Sequence, residues 1–327
     1  MPKRAVLLLA HGTPETVEQI PEYLRNVVSG RPVPQAVVEE IQHRYALIGH
    51  SPLTEITFQQ ARLVEAELAA GGKPVPVYVG MRNWRPYIPE IVRQMRADGI
   101  EEAAVICLAP QNSRTSVGLY RRAVEAESAG MRIDFTAGWA QHPLLADAFA
   151  ERLRPALVKL SAEVGAPVPV LFTAHSVPTR TVEAAAATET AEGPRLWPGQ
   201  GADPYAAEAR HTAELVAARV NGIPRWWFAF QSQGASGGPW LGPSVEETLD
   251  TIAREGVKAL VLQPIGFLCD HVEILFDVDM HFREYAAKLG VRLERPESLN
   301  DSPTLARAVA DLARSGLERL DGEGTAA

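Results

Sequence analysis

The run Asp270-His271-Val272-Glu273-Ile274-Leu275-Phe276-Asp277-Val278-Asp279-Met280-His281 holds the densest set of chemistry-bearing side chains in the chain. Wound as a helix, it puts Asp270, Glu273 and Asp277 three and four residues apart on one face, and His281 extends that face. Carboxylates one turn apart repel by roughly a few tenths of a kcal/mol per pair. A row kept despite that repulsion suits a path for a hard or borderline divalent cation. The same run also reads as a solvated acidic helix start favoured by the helix dipole.

His175 stands where an apolar run ends, between Thr173-Ala174 and Ser176-Val177-Pro178. An imidazole titrates near neutrality, so it can bind a borderline metal or accept a proton. With Glu273 it would form a metal-handling or proton-accepting pair, although a hydrogen-bonded structural histidine fits the position too. The segment Gln231 to Pro243 is Gly-rich but lacks a P-loop lysine and G-x-G-x-x-G spacing, so it gives no nucleotide site. Its Trp240 is either a wall for a flat aromatic ligand or a core anchor. Arg31, Arg44, Arg82, Arg114, Arg121 and Arg122, with Tyr45 and Tyr120, gather in the first half. In an acidic chain these arginines are candidate carboxylate clamps, with at least half of them ordinary surface cations.

The elements that must position these residues are legible in the apolar pattern. Short continuous apolar runs predict strands at Ala5–Ala10, Val75–Val79, Ala103–Ala109, Arg132–Phe135, Val168–Thr173, Trp226–Phe230, Ala259–Leu262 and Val291–Leu293. Runs without alternation suit strands covered on both faces of a parallel sheet. Between them, spacings such as Ile88-Ile91-Val92-Met95 and Ala209-Ala213-Val216-Val220 predict amphipathic helices. This alternation gives α/β architecture with right-handed crossovers.

The chain also repeats itself. The first strand of each half runs into histidine, as Ala10-His11-Gly12-Thr13-Pro14 and Ala174-His175-Ser176-Val177-Pro178, and the third ends at Pro110 and Pro264. Arg132/Arg292, Ile133/Leu293, Pro143/Pro303 and Leu145/Leu305 all keep an offset of 160. Matched landmarks in one order predict an internal duplication. We therefore expect two similar halves, 1–150 and 151–327, each a four-stranded parallel sheet flanked by helices. The C-terminal helix is free to pack on the first half. Ligands of such sheets bind at the carboxyl ends of the strands, which places the expected site in a cleft between the halves.

Composition excludes several other functions. The 327 residues carry 32 basic and 40 acidic side chains, a net charge of −8 that gives nucleic acid no electrostatic footing. Cys107 and Cys269 are too few for a cysteine-ligated iron–sulfur cluster or a four-cysteine zinc site. The apolar start Ala5–Ala10 is too short for a signal peptide, and no apolar stretch approaches the ~20 residues of a membrane span. These features predict a cytoplasmic protein.

Together the motifs resemble the ferrochelatases, which insert ferrous iron into a porphyrin. The resemblance runs from about Ala5 to Leu312. It rests on Gly12-Thr13-Pro14, Ser51-Pro52-Leu53, Gly80-Met81-Arg82-Asn83-Trp84 with Pro86, Ala174-His175-Ser176 with Pro178, Asp203-Pro204-Tyr205, Gln231-Ser232, Pro239-Trp240-Leu241-Gly242-Pro243 and Asp270-His271 with Glu273. It implies two Rossmann-like domains around a porphyrin cleft, the chelatase fold. His175 matches the family's active-site histidine, Glu273 its acidic partner, and Asp277 the acidic row leading inward. Iron enters as substrate, with no permanently bound cofactor.

The stretch Ser29 to His50 is short and polar, where ferrochelatases acting on protoporphyrin commonly carry a longer hydrophobic lip. In this it looks like the bacterial coproporphyrin ferrochelatases. Arg31, Arg44, Ser51 and Tyr120 match family positions that contact propionates, and coproporphyrin III carries four of them. The absence of a lip removes a reason for membrane attachment, and a downstream haem-pathway enzyme is an expected partner. Three departures stand out: His11 replaces the tyrosine placed against the metal face, making it a candidate metal ligand. The histidine familiar near Asn83 is missing, and the segment Thr181 to Ala202 is long. Sirohydrochlorin chelatases, whose first strand also ends in His-Gly, are the nearest rival reading; protoporphyrin as substrate and a non-catalytic porphyrin carrier are the others.

Overall fold

A computed structural model describes residues 2–72, 74–114, 116–182, 203–233 and 239–324. The strands are β1 (Arg4–Ala10), β2 (Val77–Met81), β3 (Glu102–Cys107), β4 (Arg132–Thr136), β5 (Val170–His175), β6 (Trp226–Gln231), β7 (Ala259–Pro264) and β8 (Arg292–Glu294). Each lies within two residues of its expected position. The largest shifts have a cause: Pro76 and Pro169 lack an N–H for the ladder, so β2 and β5 start after them. The helices are α1 (Ile20–Val27), α2 (Gln35–Ile48), α3 (Leu53–Ala70), α4 (Ile88–Ala97), α5 (Val117–Glu125), α6 (Pro143–Val164), α7 (Thr179–Val182), α8 (Tyr205–Ala217), α9 (Val245–Arg254), α10 (Arg283–Lys288) and α11 (Pro303–Gly324). The stretch Glu273–Phe282 is a π-helix.

The strands form two four-stranded parallel sheets in the orders β2-β1-β3-β4 and β6-β5-β7-β8. The identical order is the structural form of the duplication: the inner strand β1 runs into His11, and the inner strand β5 ends at His175. The chain divides into two compact units, residues 1–110, 115–139 and 300–327, and residues 111–114 with 140–299. Residue 150, where the sequence placed the boundary, falls inside α6, which lies wholly in the second unit.

In the first unit, Leu7, Leu9, Val105 and Cys107 on the sheet pack with Ile88, Val92 and Met95 of α4 and Val117, Tyr120 and Val124 of α5. The C-terminal helix α11 packs on α3, β3 and β4. Gly316 allows its close approach, because a Cβ there would stand 3.0 Å from Ala104 Cβ and 2.9 Å from Asp134 Oδ1. Arg319 then donates two 2.7 Å hydrogen bonds to Asp134 on β4. In the second unit, Leu171, Ala229, Leu260 and Leu262 on the sheet pack with Leu249 and Ile252 of α9 and Ile274, Val278 and Phe282 of the π-helix. Among the described residues, no helix is long and apolar enough to cross a membrane.

Candidate active site

His175 ends β5 with its Nδ1 3.3 Å from Glu273 Oε2, and each side chain is about one-third exposed (34% and 34%). Local bonds fix the histidine backbone. Tyr205 OH donates to the His175 carbonyl at 2.8 Å, and Ser176 N donates to the Gln231 carbonyl at 2.6 Å. Ser176 Oγ donates to the Leu241 carbonyl at 2.8 Å, while Leu241 N donates to the Val177 carbonyl at 3.0 Å. Pro178 and Trp240 pair across this seam. The His-Ser-x-Pro and Pro-Trp-Leu-Gly-Pro motifs are thus two sides of one backbone ladder, which places half-buried Trp240 beside the strand end.

The π-helix supplies Glu273. Its i→i+5 bonding gives roughly 4.4 residues per turn, so side chains four apart nearly superpose. Buried Ile274, Val278 and Phe282 form the inward line. Glu273, Asp277 and His281 form the line beside it. Asp277 accepts a hydrogen bond from Ser232 Oγ, and His281 Nε2 lies 3.1 Å from Glu246 Oε1.

Asp270 departs from the expected row. It precedes the helix, accepts from Ser298 Oγ at 2.7 Å and pairs with Arg295 at 3.1 Å. The three-four spacing presumed that the helix already runs through residue 270, whereas helical winding begins after it.

The electrostatics of the central pair follow from this packing. Burial disfavours the His175 imidazolium, but the charge of Glu273, with a smaller part from Asp277, outweighs it and raises the pKa. Burial also disfavours the Glu273 carboxylate, yet His175 and His271 hold it well below the ordinary carboxylate range. His271 Nε2 lies 3.7 Å from Glu273 Oε2, and its Nδ1 is 3.1 Å from the Cys269 carbonyl. The sequence gives no signal for the place of His271 beside Glu273, because residues two apart do not face each other on a regular helix. The contacts of Ser232 with Asp277 and of Tyr205 with the His175 carbonyl are likewise not legible in the sequence.

The first unit presents a second set of polar residues at its strand ends. His11 follows β1 with its Nε2 2.9 Å from Tyr23 OH, and the Asn83 amide nitrogen lies 3.1 and 3.2 Å from its ring nitrogens. Arg82 N donates to the Ala10 carbonyl at 3.0 Å and Asn83 N to the His11 carbonyl at 2.9 Å, which laces this loop to the end of β1. Burial lowers the Arg82 pKa and raises that of Tyr120, whose side chain is buried in α5. Ser51 is buried with no partner for its Oγ, an orphan hydroxyl that costs about 1–3 kcal/mol unless a ligand or water meets it. Arg31 is exposed after α1, its Nε donating to the Val28 carbonyl at 2.9 Å. Arg44 on α2 pairs with Glu40 at 2.9 Å.

No group of three or more His, Cys, Asp or Glu side chains among the described residues is arranged to hold a metal ion. Cys107 and Cys269 are both buried and unpaired with each other. Most of the segment 181–202 and residues 234–238 of the Gly-rich stretch lie outside the described residues.

The ferrochelatase family model matches residues 3–317. A protein of Acidobacterium capsulatum named ferrochelatase is 60% identical over 97% of this chain and 96% of its own. A coproporphyrin III ferrochelatase of Mycolicibacterium vanbaalenii is 34% identical over 95% of this chain and 89% of its own. Among solved structures, the sirohydrochlorin chelatase SirB of Bacillus subtilis subspecies spizizenii, in complex with cobalt, shares the fold. Its TM-score is 0.56 at 11% identity, covering 98% of this chain and 97% of that one. With a family match over nearly its whole length and the histidine–glutamate pair at the end of the second central strand, the chain belongs to the ferrochelatases, enzymes that insert ferrous iron into a porphyrin.

Proposed function

We propose that the porphyrin is coproporphyrin III and the product coproheme, with His175 and Glu273 accepting the pyrrole protons. The observation that carries the proton role is the 3.3 Å contact between His175 Nδ1 and Glu273 Oε2. Metallation must expel two N–H protons from the macrocycle and strip water from the metal. Bending the ring tilts the pyrrole nitrogens out of plane, a distortion driven by binding energy from elsewhere on the substrate. Neutral His175 then takes a proton at Nε2, and Glu273 stabilises the imidazolium through Nδ1. Asp277, next along the π-helix, extends the acidic line by which protons leave or iron arrives. Glu273 and His175 meet iron only in passing, and His11 serves as a metal contact of the first unit. Iron is cargo here, and a complete ligand cage would retain it.

The substrate assignment draws on the first unit. Coproporphyrin III brings four carboxylates, and exposed Arg31, Arg44 beside Glu40, and the orphan Ser51 hydroxyl are partners for such groups. Tyr120 contributes from the buried side, next to Arg82, and Trp240 stacks on the macrocycle. The stretch 29–50 is polar, with no long apolar lip, and the match to proteins named coproporphyrin III ferrochelatase points the same way. The test is differential binding. Arg31→Ala and Arg44→Ala should each weaken coproporphyrin III by about fivefold to thirtyfold, since a charge-assisted bond contributes about 1–2 kcal/mol at such sites. Protoporphyrin IX affinity should change by less. Equal losses for both porphyrins would refute the propionate reading.

A further inference from the structure

We propose that Arg295 is a positioning residue: it holds the π-helix in the winding that sets Glu273 against His175. The proposal rests on the reading of that pair as the proton-accepting centre. Arg295 follows directly after β8, so its backbone is anchored at a strand end. Its side chain is only 10% exposed, unusual for arginine without a specific task. The guanidinium forks onto Asp279, Nε to Oδ1 at 2.7 Å and an Nη to Oδ2 at 2.7 Å. Its other Nη lies 3.1 Å from Asp270 Oδ1 and donates to Ser298 Oγ at 3.2 Å, and Ser298 Oγ donates to Asp270 at 2.7 Å. One cation therefore joins the carboxylate three residues before Glu273 to the carboxylate six residues after it.

The winding explains why that matters. A π-helix of ten residues is rare, and α-winding is the ordinary alternative for the same backbone. Between Glu273 and Asp279, a change from about 82° to 100° per residue would rotate one against the other by roughly 110°. Asp279 could not then keep both bonds to Arg295 while Glu273 stayed against His175. On the opposite flank, Asp277 is held by Ser232, so the helix is gripped from two sides. A lysine at 295 would keep the charge but could not fork onto one carboxylate while reaching a second.

The experiment compares Arg295→Lys and Asp279→Asn with Arg219→Met, which removes a 2.6 Å pair to Asp147 elsewhere in the second unit. Partners that orient groups at a metal-handling site commonly change activity by about 10-fold to 100-fold. Arg295→Lys and Asp279→Asn should lower kcat for ferrous insertion by that factor. Porphyrin Kd should stay within about twofold of wild type, and the amides of residues 274–282 should exchange faster. Arg219→Met should leave all three unchanged. Wild-type kcat in folded variants overturns the proposal. So does a loss of kcat matched by equal loss of porphyrin binding, with exchange no faster in 274–282 than elsewhere. Should Arg295→Lys not fold, the nearly isosteric Asp279→Asn decides alone. If His175→Ala keeps full insertion activity, the proton-acceptor reading fails instead, and amide exchange still judges the clamp.

Discussion

Glu273→Gln isolates the charge that sets the protonation of His175. The two groups are 3.3 Å apart, where opposite unit charges attract by about 5 kcal/mol at an effective dielectric of about 20. Each side chain is one-third exposed, so water and salt screen much of this, leaving on the order of 1–2 kcal/mol. The sign follows from the contact: removing the carboxylate removes the main effect that raises the imidazole pKa, while the burial that lowers it remains. Glu273→Gln should therefore move the His175 titration down, read by NMR of the labelled imidazole. The proposed proton-acceptor role requires neutral His175, so on that proposal the insertion rate should rise with pH through this pKa. In the variant, the rise should come at lower pH, at a reduced maximum. A titration that does not move, or moves upward, would show that Glu273 does not set the charge on His175.

Other perturbations give further expectations. The pair's contribution to stability should be complete where Glu273 is ionised and His175 protonated. The histidine part is lost as pH rises through its raised folded pKa, and the glutamate part as pH falls below about 4.5 toward its lowered one. Melting temperature against pH should show both limbs in wild type, and each should be shallower in Glu273→Gln. His11→Tyr should keep insertion activity but change the preference among iron, cobalt and zinc, measured by competitive metallation; an unchanged order would mean His11 does not meet the metal. Gly12→Ala should cost about 1–3 kcal/mol in denaturant unfolding, since Gly12 has φ +77° and a Cβ there would stand 2.8 Å from Met81 Cβ. Replacing residues 183–202 by two glycines should leave soluble protein with a melting temperature within a few degrees. Asp203 N donates to the Val182 carbonyl at 3.1 Å, so the two ends already meet.

The sheets were legible because strands covered on both faces write themselves as apolar runs, and the duplicated landmarks gave the halves. Where β2 and β5 begin was blurred because Pro76 and Pro169 sit among apolar neighbours and lack the N–H that would extend the ladder. His175 and Glu273 could be paired because each sits at the end of a recognisable element. The grouping of Asp270 with Glu273 could not be judged from spacing, because residue counts do not reveal where a helix starts or whether it winds as α or π. Arg295 was silent for a related reason. It lies in a loop, and its partners Asp270 and Asp279 come together only once the wide turns form. The seam between the His175 and Trp240 segments was likewise hidden in two motifs that are distant in sequence and meet only beyond the ends of β5 and β6.

Anaerobic ferrous insertion followed by absorbance, with coproporphyrin III, protoporphyrin IX and sirohydrochlorin compared side by side in wild type and His175→Ala, decides both the substrate and the role of His175. Coproporphyrin III should be metallated fastest, and His175→Ala should lose that metallation while still binding the porphyrin. A preference for protoporphyrin IX or sirohydrochlorin, or wild-type turnover without His175, would contradict that expectation.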